Sequence, residues 1–139
     1  MTDQSIIKLQ DFEGLRLKPY QDTVGKWSIG WGRNLSDRGI SYDEAKILLK
    51  DDIEIATAEA RANFDWFDGL DPLRQDFIVL MIFNLGVPRL RTFRKMLDAI
   101  EAGNFSEAAL QLEDSAWASQ VTPRRAVPMR NLIEFGEWR

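Results

Sequence analysis

The stretch Glu13–Asn34, EGLRLKPYQDTVGKWSIGWGRN, constrains this chain more than any other. Ahead of it, residues 3–13 place Ile6, Leu9 and Glu13 at helical spacing, and Gly14 supplies a C-terminal stop. After it, LRLKPYQ and KWSIGWG alternate apolar and polar residues in short runs around Asp22-Thr23-Val24-Gly25, which predicts a β-hairpin with a Gly-bearing turn. Glu13 then falls in the last helical turn, where the partial negative charge of the helix end disfavours a carboxylate and favours a proton donor. Asp22, at the hairpin mouth, is expected to stay hydrated and ionised. One carboxyl biased toward protonation and one toward charge is what general acid/base hydrolysis needs. The spacing alone equally describes a solvated glutamate and an aspartate that starts a turn, and by itself it favours that plainer reading.

Elimination narrows the chemistry independently. The chain has no Cys and no His. Disulfides, thiol nucleophiles, thiolate metal sites, Ser-His-Asp and Cys-His triads, HExxH zinc sites and imidazole acid/base catalysis are therefore excluded. An enzyme built from these residues at neutral pH uses carboxylates to move protons. The net charge of −4 argues against a nucleic-acid partner. It also sits awkwardly with an anionic polymer as substrate, although Arg89, Arg91, Arg94 and Lys95 form one basic cluster and Arg124, Arg125 and Arg130 another. Such runs are by default solvated helix faces.

The residues between the two carboxylates shift the balance. Glu13-Gly14-Leu15-Arg16-Leu17-Lys18-Pro19-Tyr20, then Asp22-Thr23 and Gly25, then Ser28-Ile29-Gly30-Trp31-Gly32 closely resemble the signature of the phage-type lysozymes. These are the muramidases of glycoside hydrolase family 24, which include the T-even phage endolysins. The family pattern is Glu, eight residues, Asp, five residues, Thr, and it stands here as Glu13, Asp22 and Ser28. The resemblance resumes at Phe83-Asn84-Leu85-Gly86, at Glu107-Ala108-Ala109, and at Trp117, Gln120, Thr122-Pro123 and Arg125. It implies that Glu13, Asp22 and Ser28 are catalytic and that Asn34, Phe83, Asn84 and Gln111 contact substrate. It also implies that Arg125 approaches Glu13, an effect opposite in sign to that of the helix end. Read from the residues alone, Phe83 is core and Asn84 a cap.

Three departures stand out. Ser28 keeps the hydroxyl of the family's threonine but loses the β-branch that stiffens χ1, which loosens the positioning of a water. Arg33 stands where many relatives carry His, which removes a titrating partner. The segment between the hairpin and Phe67 is shorter than in the long phage enzymes, so part of their β-lobe is expected to be missing.

The rest of the chain reads as scaffold. Ser41-Tyr42-Asp43-Glu44 is a capping box after a loop over 34–40, and a helix should follow to about Ala62. At about 1.5 Å per residue it would extend about 30 Å, enough to link two lobes. Asp71-Pro72 supplies an N-cap and an N1 proline for a helix over 72–85, apolar on all sides and so expected at the centre of a helical lobe. Leu90, Phe93, Leu97 and Ile100 predict one amphipathic helix closed by Gly103, and Asn104 or Ser106 caps a short helix carrying Gln111. Thr122-Pro123 starts the last helix, where Pro128 should kink it or delay its start.

The expectation is a single α+β, lysozyme-like domain over 1–139: a small β-hairpin lobe (14–40), a connecting helix (41–63), and a mostly helical lobe (64–139 together with helix 3–13), the lobes flanking a cleft. The resemblance implies hydrolysis of the β-1,4 bond between N-acetylmuramic acid and N-acetylglucosamine in peptidoglycan. Glu13 would protonate the leaving oxygen, Asp22 would stabilise the anomeric centre or activate water, and Ser28 would orient that water. No cofactor or metal is implied. The partners expected are peptidoglycan glycan strands, with a monomeric chain. The N-terminus has no basic, apolar export signal and no run approaches the ~18 apolar residues of a membrane span. A holin-type pore or delivery from outside would then take a host-cytoplasmic enzyme to the wall. A lytic transglycosylase on the same bond and an inactive wall-binding relative are the alternatives.

Overall fold

Gly14 ends the first helix with a backbone at φ +68, its N–H closing on Gln10 O, and the chain enters its first strand two residues later. A computed structural model describes all 139 residues. Helix α1 (Asp3–Glu13) starts at Thr2, whose side chain accepts from Ser5 N–H, and it buries none of its residues. Strands β1 (Arg16–Gln21), β2 (Trp27–Gly30) and β3 (Arg33–Asn34) form one antiparallel sheet in the order β1-β2-β3. The hairpin is as expected, but it gains a third strand. The first two residues past Gly32 pair back on β2, Ser28 with Asn34 and Ile29 with Arg33.

Helix α2 (Tyr42–Asn63) opens with both reciprocal bonds of the capping box: Glu44 N–H donates to Ser41 Oγ at 3.1 Å and Ser41 N–H to Glu44 Oε1 at 3.0 Å. The chain divides into two units, Met1–Leu48 and Leu49–Arg139, and the boundary falls inside α2.

The second unit is helical throughout. A 3-10 turn over Phe67–Gly69 leads to α3 (Pro72–Leu85), followed by α4 (Val87–Leu90), α5 (Arg94–Glu101), α6 (Phe105–Glu113), α7 (Ala116–Gln120) and α8 (Pro123–Phe135). Asp71 caps α3 through Arg74 N–H, as its cap-then-proline sequence predicts. The core gathers Phe77, Ile78 and Met81 of α3, Met96 and Ile100 of α5, Leu112 of α6 and Leu132 and Ile133 of α8, all essentially inaccessible. α6 packs on α5 and α8, and α8 on α3.

Two expectations need correcting. The single helix predicted through Leu90, Phe93, Leu97 and Ile100 is broken into α4 and α5, with Phe93 at φ −81, ψ 55 between them. Thr92 Oγ1 donates to Arg89 O at 2.6 Å and helps close α4. α3 is not apolar-buried on every side either, since Leu80 and Phe83 are 38% and 47% exposed. Pro128 lies inside α8 without delaying its start at Pro123.

Candidate active site

The three residues expected to be catalytic, Glu13, Asp22 and Ser28, all lie in the first unit. Glu13 is the last residue of α1 and is exposed. Its carboxylate rests over Gly32, in the tight connection between β2 and β3: a Cβ at Gly32 would lie 2.6 Å from Glu13 Oε2. Gly32 has φ +79, a backbone that only glycine adopts without strain.

Asp22 sits at the other end of the sheet and holds the hairpin turn. Its Oδ1 accepts from Val24 N–H at 3.0 Å and Lys26 N–H at 2.8 Å, while its own N–H donates to Lys26 O at 2.8 Å. None of these bonds engages Oδ2. Asp22 thus starts the turn, as the plainer reading expects, and is exposed.

Ser28 is the one polar residue of the buried set, 6% exposed. It pairs with Tyr20 on one side and Asn34 on the other, so Tyr20, Ser28 and Asn34 form a row across one face of the sheet. Asp22 lies just past the end of β1, in the turn that follows it. Asn34 is engaged locally: its Oδ1 accepts from Asp37 N–H and its Nδ2 donates to Asp37 Oδ2, both at 3.0 Å.

Two ion pairs frame this region. Lys26 Nζ meets Asp37 Oδ1 at 2.6 Å, holding the Asp37 carboxyl below and the Lys26 ammonium above their usual ranges, in each case chiefly through that hydrogen bond. Arg33 Nη1 lies 3.0 and 2.8 Å from the two oxygens of Glu44 and donates to Gly39 O at 3.2 Å. The Arg33 hydrogen bond, followed by the backbone N–H of Ser41, brings the Glu44 carboxyl down to about 2. The arginine in place of the family's histidine therefore has a partner, which the capping-box motif marked without revealing the pairing.

The other expected residues belong to the second unit. Phe83 is half-exposed near the end of α3. Asn84 is not a cap: Gly86 closes α3, and Asn84 Oδ1 accepts from the indole N–H of buried Trp117 at 2.8 Å. Gln111 donates to Glu107 Oε1 at 2.8 Å. Together with Trp117, Gln120, Arg89, Arg94 and Lys95 it lines a cavity of about 520 Å³. Three of the four residues in the first basic cluster thus converge on one cavity, whereas Arg91 donates to Asn63. Arg125 is exposed near the start of α8 and forms no ion pair within its unit. No group of three or more Asp or Glu side chains is placed to hold a metal ion. No helix is long and apolar enough to cross a membrane.

The phage lysozyme family model matches residues 10–127. Among curated proteins, the chain is 28% identical to a probable T4-type lysozyme 1 of Dictyostelium discoideum, covering 89% of each chain. It is 27% identical to an endolysin of Acyrthosiphon pisum secondary endosymbiont phage 1, covering 96% of this chain and 90% of that protein. The alignment with the Dictyostelium protein runs over 153 positions, more than the 139 residues of this chain, so it contains gaps.

Proposed function

The chain belongs to the phage lysozyme family, and on that premise we propose that it is a muramidase, cutting the β-1,4 bond between N-acetylmuramic acid and N-acetylglucosamine and so lysing the wall. Membership of the family itself supports a lysozyme-like glycoside hydrolase acting on peptidoglycan.

Glu13 protonates the glycosidic oxygen as the bond breaks. Asp22 stabilises positive charge at the anomeric carbon or activates the incoming water, and the Ser28 hydroxyl orients that water. Asn34, Phe83, Asn84 and Gln111 contact the glycan strand. The observation that carries this reading is the contrast between the two carboxylates within one unit. Glu13 ends a helix with its carboxylate against backbone that has no side chain. Asp22 has one oxygen satisfied by two amides and uses the other in none of those bonds. That is the division of labour an acid and an anion require.

The reading extends to a monomer that accumulates in the host cytoplasm and reaches the wall through a holin-type pore. Digestion of purified peptidoglycan followed by mass spectrometry tests the bond cut. Fragments ending in reducing N-acetylmuramic acid support the proposal; anhydro-muramic ends would make the chain a lytic transglycosylase, and reducing N-acetylglucosamine would place the cut at the other linkage.

A further inference from the structure

The connection between β3 and α2 carries more bonds than a plain link needs. At one end, Leu35 N–H donates to Trp27 O at 2.7 Å and Ser36 Oγ accepts from Trp27 N–H at 2.9 Å. Asp37 then takes the ammonium of Lys26, the residue whose own N–H holds Asp22 Oδ1. At the other end, Gly39 O and Glu44 both bind the guanidinium of Arg33, and Ser41 binds Glu44 in turn. Arg33 directly follows Gly32, the residue on which the Glu13 carboxylate rests. One seven-residue segment is thus tied at its start to the backbone that fixes Asp22 and at its end to the backbone that seats Glu13.

We propose that Leu35–Ser41 is a brace that sets the positions of Glu13 and Asp22 relative to each other, with Asp37 and Arg33 as its positioning residues. The inference rests on the reading of these carboxylates as the reacting pair. Their separation decides whether a water fits between them, so a connector that anchors both fixes a quantity on which the reaction depends. The two anchors are independent ion pairs, so each can be released without the other. Glu44 ionises far below neutrality, so the Gly32 end of the brace holds across the neutral range.

The test compares Asp37→Ala and Arg33→Met with the intact protein, using two readouts. The first is steady-state hydrolysis of peptidoglycan. Displacing a reacting group lowers kcat by about tenfold or more in both variants. Arg33→Met leaves KM within about twofold, whereas Asp37→Ala also frees the Asn34 amide and raises KM as well. The second is carbon-13 NMR of the carboxyl groups at matched pH. Asp37→Ala should move the Asp22 carboxyl resonance and Arg33→Met that of Glu13, each leaving the other in place. Asp37→Glu and Arg33→Lys should restore part of both signals. Variants that unfold at lower temperature while kcat and both resonances stay unchanged would reduce the segment to a structural link and overturn the proposal. A wild-type protein that does not hydrolyse peptidoglycan would defeat the muramidase reading, and the NMR readout would still decide the brace.

Discussion

The Glu13 carboxylate lies so close over Gly32 that a single methyl group at that Cα would stand 2.6 Å from Glu13 Oε2. Gly32 is therefore a seat for the Glu13 carboxylate as well as a turn residue, and its φ of +79 adds a backbone reason for the same residue type. Gly32→Ala should lower unfolding stability by on the order of 1–2 kcal/mol, from the strained backbone. It should reduce kcat/KM by about 100-fold as Glu13 is pushed aside. Denaturant unfolding and initial-rate assays on the same preparation separate the two effects.

Asn84 and Trp117 form a second pair whose cost can be divided. Trp117 is buried, and Asn84 Oδ1 is the acceptor for its indole N–H. Asn84→Ala leaves that donor unpaired and should destabilise the protein by about 1–3 kcal/mol. In the Trp117→Phe background the same substitution should cost less, because no donor remains to satisfy. A double-mutant cycle by urea unfolding measures the difference.

The Arg33–Glu44 pair predicts a specific acid limb of stability. The Glu44 carboxyl is lowered from an ordinary 4.5 to about 2 in the folded protein. A depressed folded-state value means stabilisation that is complete above the unfolded value and fades as pH falls through the folded one. Wild type should therefore lose its advantage over Glu44→Gln between about pH 4.5 and about pH 2, with the gap constant at higher pH. Thermal unfolding of both proteins across that range checks the sign.

Pro128 interrupts the hydrogen bonding of α8, having no N–H for the carbonyl four residues back. Pro128→Ala should restore that bond and stabilise the protein by about 1 kcal/mol, less than the ~3 kcal/mol of an unrelaxed helix interior. A higher unfolding midpoint with unchanged hydrolysis is the expected outcome.

Much of the scaffold was legible because its signals are local. Ser41 with Glu44, Asp71 with Pro72, and Asn104 each mark a helix start by chemistry that operates within four residues, and each caps as expected. Gly14 and Gly86 close α1 and α3 for the same kind of reason. The break between α4 and α5 escaped because Leu90, Met96, Leu97 and Ile100 face one core from both pieces. Apolar periodicity records which face is buried, and it continues across a gap when two helices present the same face. In the site, residue types were readable and their partners were not. Arg33 with Glu44 spans eleven positions and Asn84 with Trp117 thirty-three, and no local rule connects either pair. Glu13 and Gly32 likewise meet only because a helix end and a strand connection converge.

The central claim is that Glu13 donates the proton that breaks a glycosidic bond. Its most direct measurement is the release of new reducing ends from purified peptidoglycan by wild type and by Glu13→Gln, with folding matched by circular dichroism. Turbidity loss with accumulating reducing ends in wild type, and a drop of about 100-fold or more in the variant, is the predicted result. Equal release by both proteins, or none by a well-folded wild type on several wall types, would contradict it.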